Sequence, residues 1–106
     1  MGDSEQNYIE KISKTKFDSS KKVTEVLNIF GKSQKLKAES LKKTEEMMTD
    51  AASDLEKLER DKAKNHDLST ESQERLNEEI AAARNQIRQK YDELKARIMD
   101  HVQQSH

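Results

Sequence analysis

Three patterns in this sequence could do chemistry, and each fails on the company it keeps. Gly31-Lys32-Ser33 resembles the end of a phosphate-binding loop. That loop needs an earlier glycine, where this chain has Val26, and a strand before it, where the pattern reads helix. Ser19-x-x-Lys22 and Ser40-x-x-Lys43 have the spacing of some acyl-transfer nucleophiles, but the companion motifs are missing. In a lysine-rich chain such spacings arise by chance. His66, His101 and His106 are the only histidines, and none has a second histidine four residues away to share a metal from one helix face. Neighbouring carboxylates such as Glu45-Glu46 and Glu78-Glu79 diverge on a helix and cannot work as a pair. The chain is expected to be no enzyme and to have no small-molecule substrate, cofactor or metal.

The basic stretch from Lys11 to Lys43 carries more meaning. It holds ten lysines against Asp18, Glu25 and Glu39, with Tyr8, Phe17 and Phe30 nearby. Such a surface suits an acidic protein or an anionic membrane. Nucleic acid is disfavoured: no arginine, the preferred base and phosphate reader, precedes Arg60. The expected partner-binding residues are Lys11, Lys14, Lys16, Phe17, Lys21, Lys22 and Ile29. Phe17 falls outside the apolar stripe of its helix and Ile29 beyond its edge, so both are expected at the surface.

The elements that position these residues are helices. The chain of 106 residues has no proline, two glycines and 39% charged residues. Glu, Lys, Ala, Leu and Gln, which lose little on entering a helix, dominate it. Leu, Ile, Val and Phe number only 19, so any core is narrow. At 100° per residue they still cluster. Tyr8, Ile9, Ile12, Val23, Val26, Leu27 and Phe30 share one sector. Leu36, Leu41, Met47, Met48, Ala51, Ala52, Leu55 and Leu58 form a wider one, read as a helix touching two partners. Leu76, Ile80, Ala83, Ile87, Tyr91, Leu94, Ile98 and Val102 follow an eleven-residue repeat, which favours straight or slightly right-handed packing over a left-handed supercoil.

Asn65-His66-Asp67-Leu68 reads as a turn, with Ser69 or Thr70 capping the next helix and Thr70 with Gln73 fitting a capping box. The earlier break has two readings. Either a left-handed Gly31 ends one helix and Ser33 caps the next, or Gly31 is tolerated within a longer helix. Asp18-Ser19-Ser20, where the first stripe has a gap, is a third candidate break. The sequence predicts an all-α, antiparallel three-helix bundle in a single domain, with helices near 4–30, 34–64 and 70–104. The alternative is a long two-helix coiled-coil hairpin that dimerises.

Charge comes in blocks. Residues 44–61 and 67–79 are acidic, and 11–43 and 84–97 are basic. Folding at 65–69 is expected to give a rod with an acidic tip and a basic opposite end. There is no cysteine and no apolar run long enough to span a membrane. The acidic start of the chain is unlike a signal peptide, and Gln6 breaks the myristoylation pattern, so a cytoplasmic home is expected. The functional expectation is a non-enzymatic module for protein contact or self-association, or else a binder of anionic membrane surfaces through its lysine-rich region.

Overall fold

The computed structural model describes residues 5–32 and 37–104, and the side chains of 5–30 and 37–100. The described chain forms three helices, α1 (Glu5–Lys32), α2 (Lys37–Lys64) and α3 (Thr70–Gln104). All three pairs are in contact, which makes an all-α three-helix bundle. The rod measures 58 × 18 × 16 Å. α1 folds back along the α2–α3 hairpin, so the two-helix alternative does not apply to this chain.

Polar contacts give the register. Arg75 Nε donates to Glu5 Oε1 at 2.6 Å and Lys90 Nζ donates to Ser20 Oγ at 2.6 Å. Both pairs are 70 residues apart in sequence, so α1 and α3 run parallel with a constant offset. α2 runs against both: Lys43 meets Glu25 of α1, and Arg84 of α3 meets Glu59.

Apolar side chains build two unequal core clusters. The larger, towards the α2–α3 turn, holds Tyr8, Ile12, Ala51, Leu55, Leu58, Leu76, Ile80, Ala83 and Ile87. The smaller, at the far end, has only Val26, Leu94 and Ile98 fully buried, with Val23, Leu27, Phe30 and Leu41 packed around them. Burial of a large aliphatic side chain stabilises by about 1.5–3 kcal/mol, so the turn end is the stronger one.

The inward-facing positions are more regular than apolarity alone predicts. On α2 they are Ser40, Thr44, Met47, Ala51, Leu55, Leu58 and Lys62. Their spacing of 4, 3, 4, 4, 3 and 4 matches the α3 series from Leu76 through the half-buried Tyr91 to Ile98, and it is the eleven-residue pattern of straight helices. α2 does touch two partners, as expected, but through this narrow seam rather than a wide apolar sector. Ala52 is exposed and Met48 half-buried, while three polar residues occupy seam positions. Each of the three helices touches two neighbours. Leu36 lies outside the described residues, as does the side chain of Val102.

The candidate breaks resolve simply. Asp18-Ser19-Ser20 is continuous helix: Thr15 and Ser19 are buried and carry the α1 seam through its apolar gap. Gly31 is helical, one residue from the end of α1, with no positive φ, so it is tolerated rather than a left-handed cap. Ser33 lies outside the described residues. At the second break, Asn65 Oδ1 accepts the Asp67 amide at 3.0 Å, and the Leu68 amide closes the turn on the Asn65 carbonyl. Ser69 is the cap, its Oγ accepting the Ser72 amide at 3.1 Å. The Thr70–Gln73 capping box does not form, because the Gln73 side chain reaches across to α2.

Candidate functional site: the outward face of the first helix

The α1 seam residues Tyr8, Ile12, Thr15, Ser19 and Val26 face the core. At 100° per residue Phe17 falls on the opposite pole. Its side chain is 62% exposed, the most exposed of the large hydrophobics described, with Met99 at 45%. The Lys21 ammonium stands 5.5 Å from the centre of the Phe17 ring, a cation–π contact one turn along the helix. Lys14, three residues before Phe17, is exposed on the same face. An apolar ring with an ammonium group over it can take a carboxylate-bearing apolar surface, giving it both burial and charge complement.

The other expected contact residues do not all join this face. Lys11 and Lys22 are exposed and line the grooves towards α2, which Lys14 and Lys21 also edge. Lys22 pairs with Glu25 at 3.7 Å, and Lys11 lies 5.6 Å over the Tyr8 ring. Lys16 is half-buried on the flank towards α3, one turn before Ser20. Ile29, expected at the surface, is half-buried one turn after Glu25, on the flank towards α2. Phe17 and Lys21 form the compact pair, with Lys14 on the edge towards α2.

The expected separation of charge also needs correction. Because α1 starts beside the turn, Lys11 and Lys14 lie along a groove with Asp54, Lys57 and Asp61 of the acidic block. A second groove between α1 and α2, of about 580 Å³, brings Lys21 and Lys22 together with Asp18, Glu25, Asp50 and Asp54 over a floor of Thr15, Ser19, Met47 and Ala51. The basic block thus runs along the rod beside acids rather than sitting at the opposite end. The groove between α1 and α3 differs. It is about 400 Å³, with Val23, Leu27 and Leu94 at its base and Lys90, Glu93 and Arg97 beside them.

Two polar clusters escaped sequence reasoning. At the turn end Lys62 is buried, its ammonium donating to Asn77 Oδ1 and to Gln73 Oε1, the latter at 3.1 Å. Asn65 donates to the Tyr8 hydroxyl at 3.2 Å and completes a three-helix polar cap. Farther along, the Tyr91 hydroxyl donates to Glu45 Oε1 at 2.5 Å, with Lys95 reaching both. The Tyr91 hydrogen bond, and then Lys95, hold the Glu45 carboxyl below its usual pKa. The same hydrogen bonds from Tyr91 and Glu45 raise Lys95. Arg75 is raised by its hydrogen bond and charge attraction to Glu5. These are structural staples between helices. The only sequence signal for them was the position of Lys62 and Tyr91 in the 4, 3, 4 series.

Among the described residues no group of three or more His, Cys, Asp or Glu side chains is placed to hold a metal ion. No described helix is long and apolar enough to cross a membrane. The side chain of His101, and all of His106, lie outside the described residues. Comparison with family models, with curated proteins and with solved structures found no match to this chain.

Proposed function

We propose that this protein is a non-enzymatic helical-bundle module that works in the cytoplasm by contact with another protein, docked on the outward face of α1 around Phe17. One observation carries the reading: an aromatic side chain 62% exposed at the pole of a helix, its ring under the Lys21 ammonium. Aromatic anchors dominate the energetics of protein interfaces, and flanking charges set orientation and association rate. The shape of the molecule fits the same reading. A slim rod offers surface rather than an enclosed chamber, and contact is the work a surface does.

An anionic membrane surface is the second reading, favoured by the same lysines around an aromatic ring. Vesicle co-sedimentation separates the two. Binding that needs anionic lipid and fades with salt supports the membrane reading. The protein reading expects no vesicle binding. It expects a partner, cross-linked and purified from the native source, whose affinity falls at least about tenfold, about 1.4 kcal/mol, with Phe17→Ala. It expects a further loss with Lys14→Glu and Lys21→Glu. If none of these variants changes partner or lipid binding, the face is only a solvated surface and the proposal fails.

A further inference from the structure

We infer that the partner's contacting element is an acidic amphipathic helix, seated in the groove between α1 and α3 and reaching Phe17 at one edge. The inference rests on the reading of α1 as the docking helix, and it adds which flank is used and what chemistry fits. The two flanks of α1 differ in charge. Towards α2, the lysines of α1 stand among Asp18, Asp50, Asp54 and Asp61, so that side is already complemented within the chain. Towards α3, the groove is edged by Lys90 and Arg97, with Glu93 the one carboxylate in its lining among the described residues, and the half-buried Lys16 lies farther along the same flank of α1. An acidic element is attracted to this side and finds rival carboxylates on the other.

The floors differ as well. The α1–α2 groove is larger, but its base includes the hydroxyl-bearing Thr15 and Ser19. The α1–α3 groove exposes parts of Val23 and Leu27 over the buried Leu94, aliphatic groups that gain from cover. Ser20 joins the features: it accepts from Lys90 at the groove wall and lies three residues, one turn, after Phe17. A helix laid parallel to the rod presents apolar side chains at i, i+3, i+4 and i+7 to the floor and acidic ones to both walls. The shape also argues against a bilayer. A flat surface touches the convex pole at Phe17 but does not enter the concave floor, whereas a helix does both.

The test uses the full chain, isotope-labelled, with two synthetic amphipathic peptides of about 18 residues, five helical turns. One carries leucine with glutamate, the other leucine with lysine in the same pattern. The acidic peptide is expected to shift the NMR signals of Phe17, Ser20, Val23, Leu27, Lys90 and Arg97 and to leave Asp50 and Asp54 unmoved. Lys90→Glu with Arg97→Glu, both at exposed positions, is expected to weaken it at least about tenfold. The lysine peptide is expected not to bind the groove. Shifts confined to the α2 side, equal binding of both peptides, or no binding of the acidic peptide overturn the inference. If Phe17→Ala weakens the peptide but the Lys90 and Arg97 reversals do not, the groove is wrong and the docking face stands. If the reversals act and Phe17→Ala does not, the groove stands and the Phe17 reading fails.

Discussion

Lys62 and Gln73 hold each other reciprocally: the Lys62 ammonium donates to the Gln73 side-chain oxygen at 3.1 Å, and the Gln73 amide nitrogen donates back to the Lys62 carbonyl at 2.8 Å. One residue pair thus ties the last turn of α2 to the first turn of α3. It also satisfies a buried charge without a carboxylate, since no ion pair of Lys62 is present among the described residues. Removing one member of such a pair differs from removing the charge. Gln73→Ala leaves the buried ammonium with Asn77 Oδ1 as its one remaining side-chain acceptor among the described residues, and is expected to cost about 1–3 kcal/mol. Lys62→Met fills the same space without a charge and is expected to be neutral or stabilising. Urea denaturation of both variants decides this, and equal losses would show that the charge itself contributes.

The core is expected to be uneven in strength. Leu55→Ala and Ile87→Ala, in the larger cluster, should each cost about 2–4 kcal/mol. Native-state hydrogen exchange should show the amides around Val26 and Thr44 opening at lower free energy than those around Leu55 and Ile80. A uniform opening energy along the rod would contradict the two-cluster description. Ser40→Ala should stabilise, because among the described residues the Ser40 hydroxyl is buried with no hydrogen-bond partner.

Acid should act partly through Glu45. Its folded-state pKa lies below the unfolded value, so its contribution is fully present above the ordinary carboxyl value of 4.5 and is lost as pH falls through the lowered value. Lys95 is raised, so its contribution is present below its ordinary value of 10.5 and is lost as pH rises through the raised value. Tyr91→Phe removes the hydrogen bond that most lowers Glu45. It should flatten the fall in urea midpoint below about pH 4.5 while leaving the rest of the acid limb in place. An unchanged acid limb in Tyr91→Phe would show that the staple is not formed in solution.

The three helices were legible in the sequence because proline is absent and the apolar residues recur at helical spacing. The turn at Asn65 was legible from side chains that bond their own backbone. The polar seam was not. A pattern that counts only apolar residues passes over Thr15, Ser19, Ser40, Thr44 and Lys62, all of them buried. That is why the α1 stripe looked broken at Ser19 and the α2 stripe looked wide. Phe17 was legible as an outlier, since it lies opposite the core. Ile29 was misplaced because the edge of a stripe is where a neighbouring helix decides burial. Charge blocks could be counted, but their facing depends on α1 lying parallel to α3, which contacts such as Glu5–Arg75 fix and composition does not.

The central claim is that α1 presents the docking face, and site-specific photo-cross-linking tests it most directly. A photoreactive phenylalanine replaces Phe17 in one variant, Glu56 on α2 in a second and Gln89 on α3 in a third, all exposed positions. Each variant is irradiated with the partner purified from the native source. The account predicts a covalent adduct from position 17, lost when Lys14 and Lys21 are reversed to Glu, and little from 56 or 89. Adduct yields from 56 or 89 equal to that from 17, or no adduct from 17, would contradict it.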